Sequence, residues 1–146
     1  MDTQKYTEKS LSAIEKSQSE ALRRKNSELT TLHLLKALVF QENGLVPSIL
    51  EKMDLDFSRL KYLLEKSLNS LPSYSGGNVG TLVSSGNLNQ AIVNAEDEAT
   101  KLNDKFVSVE HILLALTHEG SNDPVGKIFV EIGLNRENLI NTITEI

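Results

Sequence analysis

The apolar residues of this chain recur at the spacing of amphipathic α-helices along most of its length. Side chains three or four positions apart fall on one face of a helix, and no stretch alternates apolar and polar residues as a half-buried strand does. A residue with a side-chain oxygen precedes most of these apolar stripes, where it can cap the free N–H groups of the first turn. The pattern therefore predicts an all-α fold of about eight helices, with caps at Thr7, Thr30, Asp56, Ser85, Ser108, Asp123 and Asn135.

Two stretches interrupt the helical pattern. Gly44 ends the second predicted helix, and a short third helix is predicted to follow Pro47. Residues 69–84, NSLPSYSGGNVGTLVS, combine a proline and three glycines with several serines, which is the composition of a linker. The Thr81-Leu82-Val83 run at the end of this segment is too short to change the fold class.

The second half of the chain repeats the first. The stretch TTLHLLKAL at residues 30–38 returns as SVEHILLAL at residues 108–116, an offset of 78. Without a gap, residues 7–38 align with residues 85–116, and one inserted residue carries the match further at an offset of 79. A duplicated sequence indicates a duplicated structural unit.

Each copy is too small to bury its apolar face easily, and stacking two copies buries both faces in one core. We therefore expect a single domain over residues 1–146, with pseudo-twofold symmetry between its halves. Repeat 1 is expected to span residues 7–68 and repeat 2 residues 85–146, with the linker at 69–84 between them.

Composition excludes several kinds of function. The net charge of −5 argues against a nucleic-acid partner, because phosphates select a basic surface. The absence of cysteine excludes disulfides and thiolate sites. No apolar run reaches the roughly 18 residues of a membrane helix, and the polar start of the sequence lacks a signal-peptide core. We therefore expect a cytoplasmic chain with neither a nucleic-acid nor a membrane partner.

Several local motifs resemble a known family. Thr7-Glu8-Lys9 opens the first copy, residues 108–116 mark the second, and together they resemble the N-terminal domain of the Clp ATPases. Leu71-Pro72 and the segment GLVPSILEKM at 44–53 resemble the ClpB disaggregase branch in particular. The resemblance covers nearly the whole chain and implies a mobile domain that engages substrates at the pore of a larger machine.

The resemblance also implies what that larger protein does. ClpB is a homohexameric, stress-induced chaperone that recovers aggregated proteins together with the DnaK system. Its ATP and Mg²⁺ belong to ATPase modules that this chain lacks, because no GxxxxGK[ST] motif occurs in it. The domain itself is expected to be monomeric, non-catalytic and free of cofactors, with unfolded or aggregated proteins as its partners.

Three polar residues are implicated by the resemblance in the engagement of aggregates: Thr7, Asp104 and Glu110. Each also has a simpler structural explanation. Thr7 is a helix cap, and Asp104 is a solvated acid between two helices. Glu110 lies in the first turn of the sixth helix, where a carboxylate is favoured by the positive helix end.

A surface that binds unfolded chains also needs exposed apolar area. The candidate is the seam between the first and fifth helices, near Ile92 and Val93. Ile92 lies on the apolar stripe of the fifth helix and so is also expected to pack in the core. Val93 lies off that stripe and is the stronger candidate for an exposed contact.

The paired histidines, His33 and His111, are expected to be buried structural residues, and no metal site is predicted. The sister branch ClpC reads phosphoarginine with a glutamate before each histidine. Here Glu110 precedes His111, but Leu32 precedes His33, so half of that chemistry is missing. The alternatives that stay open are an adaptor-docking or phosphoarginine-reading domain of a ClpC/ClpA-type protease unfoldase, and a purely structural spacer.

Overall fold

The structure is a computed structural model that describes residues 1–75, 81–120 and 122–145. In this part of the chain it contains eight α-helices and two strands of two residues each, so the predicted all-α class is confirmed. A short 3-10 helix, Thr3–Lys5, precedes the first α-helix. The helices and strands are α1 (Glu8–Arg23), β1 (Glu28–Leu29), α2 (Thr31–Val39), α3 (Leu45–Lys52), α4 (Phe57–Asn69), β2 (Val83–Ser84), α5 (Gly86–Lys101), α6 (Val109–Leu116), α7 (Pro124–Ile132) and α8 (Arg136–Thr144).

Side-chain caps begin the helices where the sequence predicts them. The oxygens of Thr7, Asp56, Ser85 and Asn135 each accept a hydrogen bond from the backbone N–H three residues further on. Such a bond satisfies one of the N–H groups that a helix leaves without a partner in its first turn. All seven predicted caps occupy the cap position, the other three being Thr30, Ser108 and Asp123.

The predicted start of the third helix is wrong. Helix α3 begins at Leu45, two residues before Pro47. Proline has no N–H, but the N–H groups of the first turn have no partner within the helix in any case. Pro47 is therefore tolerated inside the first turn, and Gly44 takes the cap position.

Part of the predicted linker packs against repeat 1. Helix α4 includes Asn69, and the Tyr74 N–H donates to the Lys25 carbonyl over 3.0 Å. The Asn26 side-chain amide donates to the Pro72 carbonyl over 3.0 Å. The three predicted linker glycines, at positions 76, 77 and 80, lie outside the described residues.

Two equivalent strand contacts join the halves of the molecule. The segment before α5 pairs with the segment before α2, through the parallel strands β1 and β2, and Ser85 donates to the Leu29 carbonyl over 2.8 Å. The segment before α1 pairs with the segment before α6, and Thr7 donates to the Val107 carbonyl over 3.0 Å. The offset of 78 superposes these two contacts, whereas the repeat boundaries 7–68 and 85–146 stay a prediction.

The second helix of each half lies at the centre of the core. Helices α2 and α6 contact each other, and α1 and α5 each pack on both of them. A groove remains between α1 and α5, and Leu34 of α2 is among the residues that line it. The most deeply buried leucines and isoleucine of the two central helices are Leu34, Leu35, Leu38, Ile112, Leu113, Leu114 and Leu116.

Candidate functional site

The histidine of repeat 1 is fully hydrogen-bonded inside the protein. The Thr30 N–H donates to His33 Nδ1 over 2.9 Å, which places the ring proton on Nε2, 2.8 Å from Asn26 Oδ1. Burial, followed by the charge of Arg24, lowers the pKa of His33 to about 4. His33 is therefore a neutral structural residue at physiological pH.

The histidine of repeat 2 repeats this arrangement with one change. The Ser108 N–H donates to His111 Nδ1 over 2.9 Å, and His111 Nε2 lies 2.8 Å from Asp104 Oδ2. Asp104 thus replaces the asparagine of repeat 1, and a carboxylate that is 50% exposed is fixed by a buried ring. Both nitrogens of each ring are engaged, so neither histidine has a lone pair available for a metal ion.

The third histidine belongs to a different group of residues. His118 Nε2 lies 2.7 Å from Glu98 Oε2, and the same carboxylate binds Arg136. Among the described residues, no cluster of three or more histidines and acids has the arrangement needed to hold a metal ion.

The three polar candidates surround the segment that precedes α6. Thr7 is bonded directly to the backbone of this segment at Val107. Asp104 and Glu110 lie three residues before and after Val107, and Glu110 accepts a hydrogen bond from the Ser108 hydroxyl. Asp104 is exposed, while Thr7 and Glu110 are partly buried. The structure thus brings all three residues to one end of α1.

The two apolar candidates line a groove between α1 and α5. Ile92 is partly buried in it, whereas Val93 is 51% exposed at its edge. The groove has a volume of about 340 Å³. Among the described residues that line it, none has an ionisable side chain; the others are Met1, Ile14, Ser17, Gln18, Leu29, Leu34, Ser84, Leu88 and Asn89.

Most of these groove residues were not singled out from the sequence. Ile14 could have been found, because the offset of 78 places it on Ile92 and both project from equivalent helices. Leu29 and Leu34 look like ordinary core residues in the sequence. They line the groove because the chain before α2 and the start of α2 lie beneath the gap between α1 and α5.

Tyr6 connects the polar cluster, which consists of Thr7, Asp104 and Glu110, with α5. It immediately precedes Thr7, and its hydroxyl donates to Glu96 Oε2 over 2.6 Å. Glu96 follows Val93 by one helical turn. Burial, followed by the hydrogen bond with Glu96, raises the pKa of Tyr6 far above its usual value. The Tyr6 hydroxyl therefore stays protonated and keeps this contact.

A larger cavity, of about 530 Å³, lies between α1 and α2. Its lining is strongly charged, and Glu20 pairs there with Lys36 over 3.0 Å and with Arg23 over 2.9 Å. Such a surface suits water better than an apolar segment, so the groove between α1 and α5 is the better candidate site.

Comparison with protein families identifies this fold. The family model described as the Clp repeat (R) N-terminal domain matches residues 5–132. The chain belongs to this family. The resemblance seen in the sequence is confirmed, and the matched family is an N-terminal domain and not an ATPase module.

A curated relative points to one branch of the Clp proteins. The chain is 37% identical to the chaperone protein ClpB of Nitratidesulfovibrio vulgaris over 148 residues, an alignment that covers all of this chain. The match spans only 17% of the length of that relative.

Solved Clp N-terminal domains have the same fold. The Hsp104 N-terminal domain from Candida albicans superposes with a TM-score of 0.80 at 21% identity, covering 94% of this chain and 87% of that one. A ClpV N-domain in complex with a VipB peptide gives a TM-score of 0.72 at 23% identity, covering 92% and 82%. Within the described residues, no helix combines the length and the apolar character needed to span a membrane.

Proposed function

We propose that this chain is the substrate-engaging N-terminal domain of a ClpB-like disaggregase chaperone. The observation that carries the proposal is the groove between α1 and α5, which is apolar, contains no ionisable side chain among its described lining residues and has the exposed Val93 at its edge. Unfolded and aggregated proteins expose apolar segments that native proteins bury, and a largely apolar groove discriminates between the two states on this basis.

The domain performs no chemistry in this proposal. It holds an exposed apolar segment weakly, and its tether to a larger protein converts weak binding into a raised local concentration. Burial of one or two apolar side chains contributes roughly 2–5 kcal/mol before the entropic cost of binding, which corresponds to weak affinities. A weak hold also lets the segment leave for the next step.

The polar cluster extends the same surface. Thr7, Asp104 and Glu110 surround Val107, and the Tyr6–Glu96 hydrogen bond connects this region with α5. We place them in contact with the substrate beside the groove, where oxygen atoms can accept hydrogen bonds from an extended backbone.

The activity of the whole protein forms the remainder of the proposal. We propose that the whole protein is a stress-induced, cytoplasmic homohexamer that acts with the DnaK system, and the similarity to a chaperone protein ClpB is what supports this. ATP and Mg²⁺ act there in ATPase modules outside this chain.

An NMR titration tests the proposed function. A permanently unfolded polypeptide, such as a reduced and carboxymethylated disulfide protein, is added to the labelled domain, and its native form serves as the control. We expect the unfolded form alone to shift resonances of Thr7, Ile92, Val93, Asp104 and Glu110. Shifts confined to residues 69–84, or equal shifts with the native form, contradict the proposal.

A second candidate is the docking of a dedicated partner, as in a ClpC/ClpA-type unfoldase. It is favoured by the fold likeness to the ClpV N-domain in complex with a VipB peptide. Stoichiometric binding of one folded adaptor at sub-micromolar affinity would distinguish this candidate from substrate engagement.

Phosphoarginine reading is less well supported, because Leu32 replaces a glutamate in repeat 1 and is 2% exposed. Saturable phosphoarginine binding that Glu110→Ala abolishes supports that alternative.

A further inference from the structure

In one half of the interface between α1 and α5, the space is filled by the side chain of Tyr6. The Tyr6 residue pairs with Val107 in a parallel bridge, and its ring is buried with only 5% exposure. Its hydroxyl reaches across to α5 and donates to Glu96 over 2.6 Å. A tyrosine, held by a strand contact at its backbone and by a carboxylate at its hydroxyl, therefore occupies this half.

The equivalent place in the other half has no aromatic ring. The offset of 78 puts Ser84 at the position of Tyr6, and Ser84 pairs with Leu29 as Tyr6 pairs with Val107. The same offset puts Gln18 at the position of Glu96. Both Ser84 and Gln18 line the groove of about 340 Å³. The backbone contact is thus conserved between the halves, while the side chain that fills one of them is missing from the other.

We propose that the groove beside Ser84 and Gln18 binds an aromatic side chain of the substrate, tyrosine above all. This ring would occupy the position equivalent to that of Tyr6 in the other half. This inference rests on the proposed function and specifies the kind of segment that the groove selects. Aromatic rings bury more apolar area than any other side chain. A single ring inserted between Ile14 and Ile92 supplies most of the contact that a shallow groove can offer.

The chemistry of the open half suits a neutral ring. The Gln18 side-chain oxygen takes the place of the Glu96 carboxylate as acceptor for a phenol hydroxyl. Hydrogen bonds to a neutral amide are weaker than those to a carboxylate, so phenylalanine binds here nearly as well as tyrosine.

Matched peptides test this selectivity in the native protein. Two capped peptides, Gly-Ser-Tyr-Ser-Gly and Gly-Ser-Ala-Ser-Gly, are titrated into the domain while the methyl resonances of Ile14, Leu34, Ile92 and Val93 are followed by NMR. We expect the tyrosine peptide to shift these methyl groups and the alanine peptide to bind roughly tenfold or more weakly. Equal shifts from the two peptides overturn the inference.

A filling variant tests the position of the ring. Ser84→Tyr supplies the missing side chain within the protein, and Ser48→Tyr places the same residue on the exposed face of α3, outside the groove. Ser84→Tyr is expected to reduce binding of the tyrosine peptide roughly tenfold or more, whereas Ser48→Tyr leaves it unchanged. Undiminished binding to Ser84→Tyr overturns the inference.

Titration with the unfolded polypeptide distinguishes failure of the aromatic selectivity from failure of the proposed function. If it shifts the groove methyl groups while the tyrosine peptide does not, the aromatic selectivity is wrong and the proposed function stands. If neither ligand shifts them, both are wrong.

Discussion

Asn26 and Asp104 accept the same hydrogen bond from two buried histidines, but only Asp104 carries a charge. The distances are equal, 2.8 Å in each repeat. Repeat 1 therefore shows that a neutral amide is sufficient to position such a histidine. The charge at position 104 is therefore not needed for this contact, and the second carboxylate oxygen of Asp104 is left for the substrate contact proposed above.

Two substitutions at Asp104 separate structure from binding. Asp104→Asn recreates the contact of repeat 1 and should change the free energy of unfolding by about 1 kcal/mol or less, while Asp104→Ala leaves the buried His111 Nε2–H without its acceptor and should cost about 1–3 kcal/mol. The measurement is chemical denaturation, followed by titration of each variant with an unfolded polypeptide. If Asp104→Asn binds as tightly as the unsubstituted protein, the charge has no role in engagement.

At the scale of single residues, the sequence predicted the contacts that join near neighbours along the chain. A cap acts within three residues, so Thr7, Asp56, Ser85 and Asn135 could be assigned from their neighbours alone. The hydrogen bonds from the histidines to Asn26 and Asp104 span seven residues through a turn. The identities of these acceptors could not be derived from periodicity, although the repeat offset aligns them.

Ion pairs between helices connect α5 with α8. Arg136 donates to both oxygens of Glu98, over 2.7 and 2.9 Å, and the Glu98 side chain is 0% exposed. The hydrogen bond from Arg136, which outweighs the opposing effect of burial, together with that from His118, lowers the pKa of Glu98 to about 2. A buried carboxylate held in this way depends strongly on its partner.

Removal of this partner should destabilise the domain. Arg136→Ala is expected to lower the free energy of unfolding at neutral pH by about 2–3 kcal/mol, less than for a fully buried pair because Arg136 is 41% exposed. The folded pKa of Glu98 lies below its ordinary value of 4.5. The stabilisation is therefore complete above about pH 4.5 and is lost as the pH falls towards 2, and the effect of Arg136→Ala shrinks over the same interval.

A surface pair provides the matched control for this experiment. Arg59 on α4 reaches Glu131 on α7 over 3.1 Å, but both side chains are about half exposed. Arg59→Ala should cost less than about 1 kcal/mol, because solvent screens exposed pairs. Equal losses for the two arginine variants in chemical denaturation would contradict the assigned role of the buried carboxylate.

Among whole elements, prediction from the sequence failed for one helix start and for the two strands. The sequence predicts that the third helix follows Pro47, yet α3 starts at Leu45 and includes this proline in its first turn. The strands β1 and β2 have two residues each and form only because the halves meet. A pair of two-residue strands has no periodic signal in a sequence.

The arrangement of the whole molecule follows from the duplication. The segment that precedes the first helix of each half pairs with the other half, at Val107 and at Leu29. Helices α2 and α6 pack on each other at the centre. The sequence predicts the seam between the first and fifth helices as the candidate surface, and the structure has a groove there. The opening of this groove on one side could not be predicted, because it depends on Ser84 occupying the position that Tyr6 occupies in the other half.

The central claim is that this groove engages unfolded polypeptides, and two exposed valines test it directly. Val93 is 51% exposed at the groove, and Val130 is 72% exposed on α7, away from it. An aspartate in the groove must lose water when an apolar segment binds, whereas one on α7 does not. The measurement is the affinity of a fluorescently labelled unfolded polypeptide by anisotropy. We predict that Val93→Asp weakens binding roughly tenfold or more and that Val130→Asp leaves it unchanged; equal affinities for the two variants would contradict the claim.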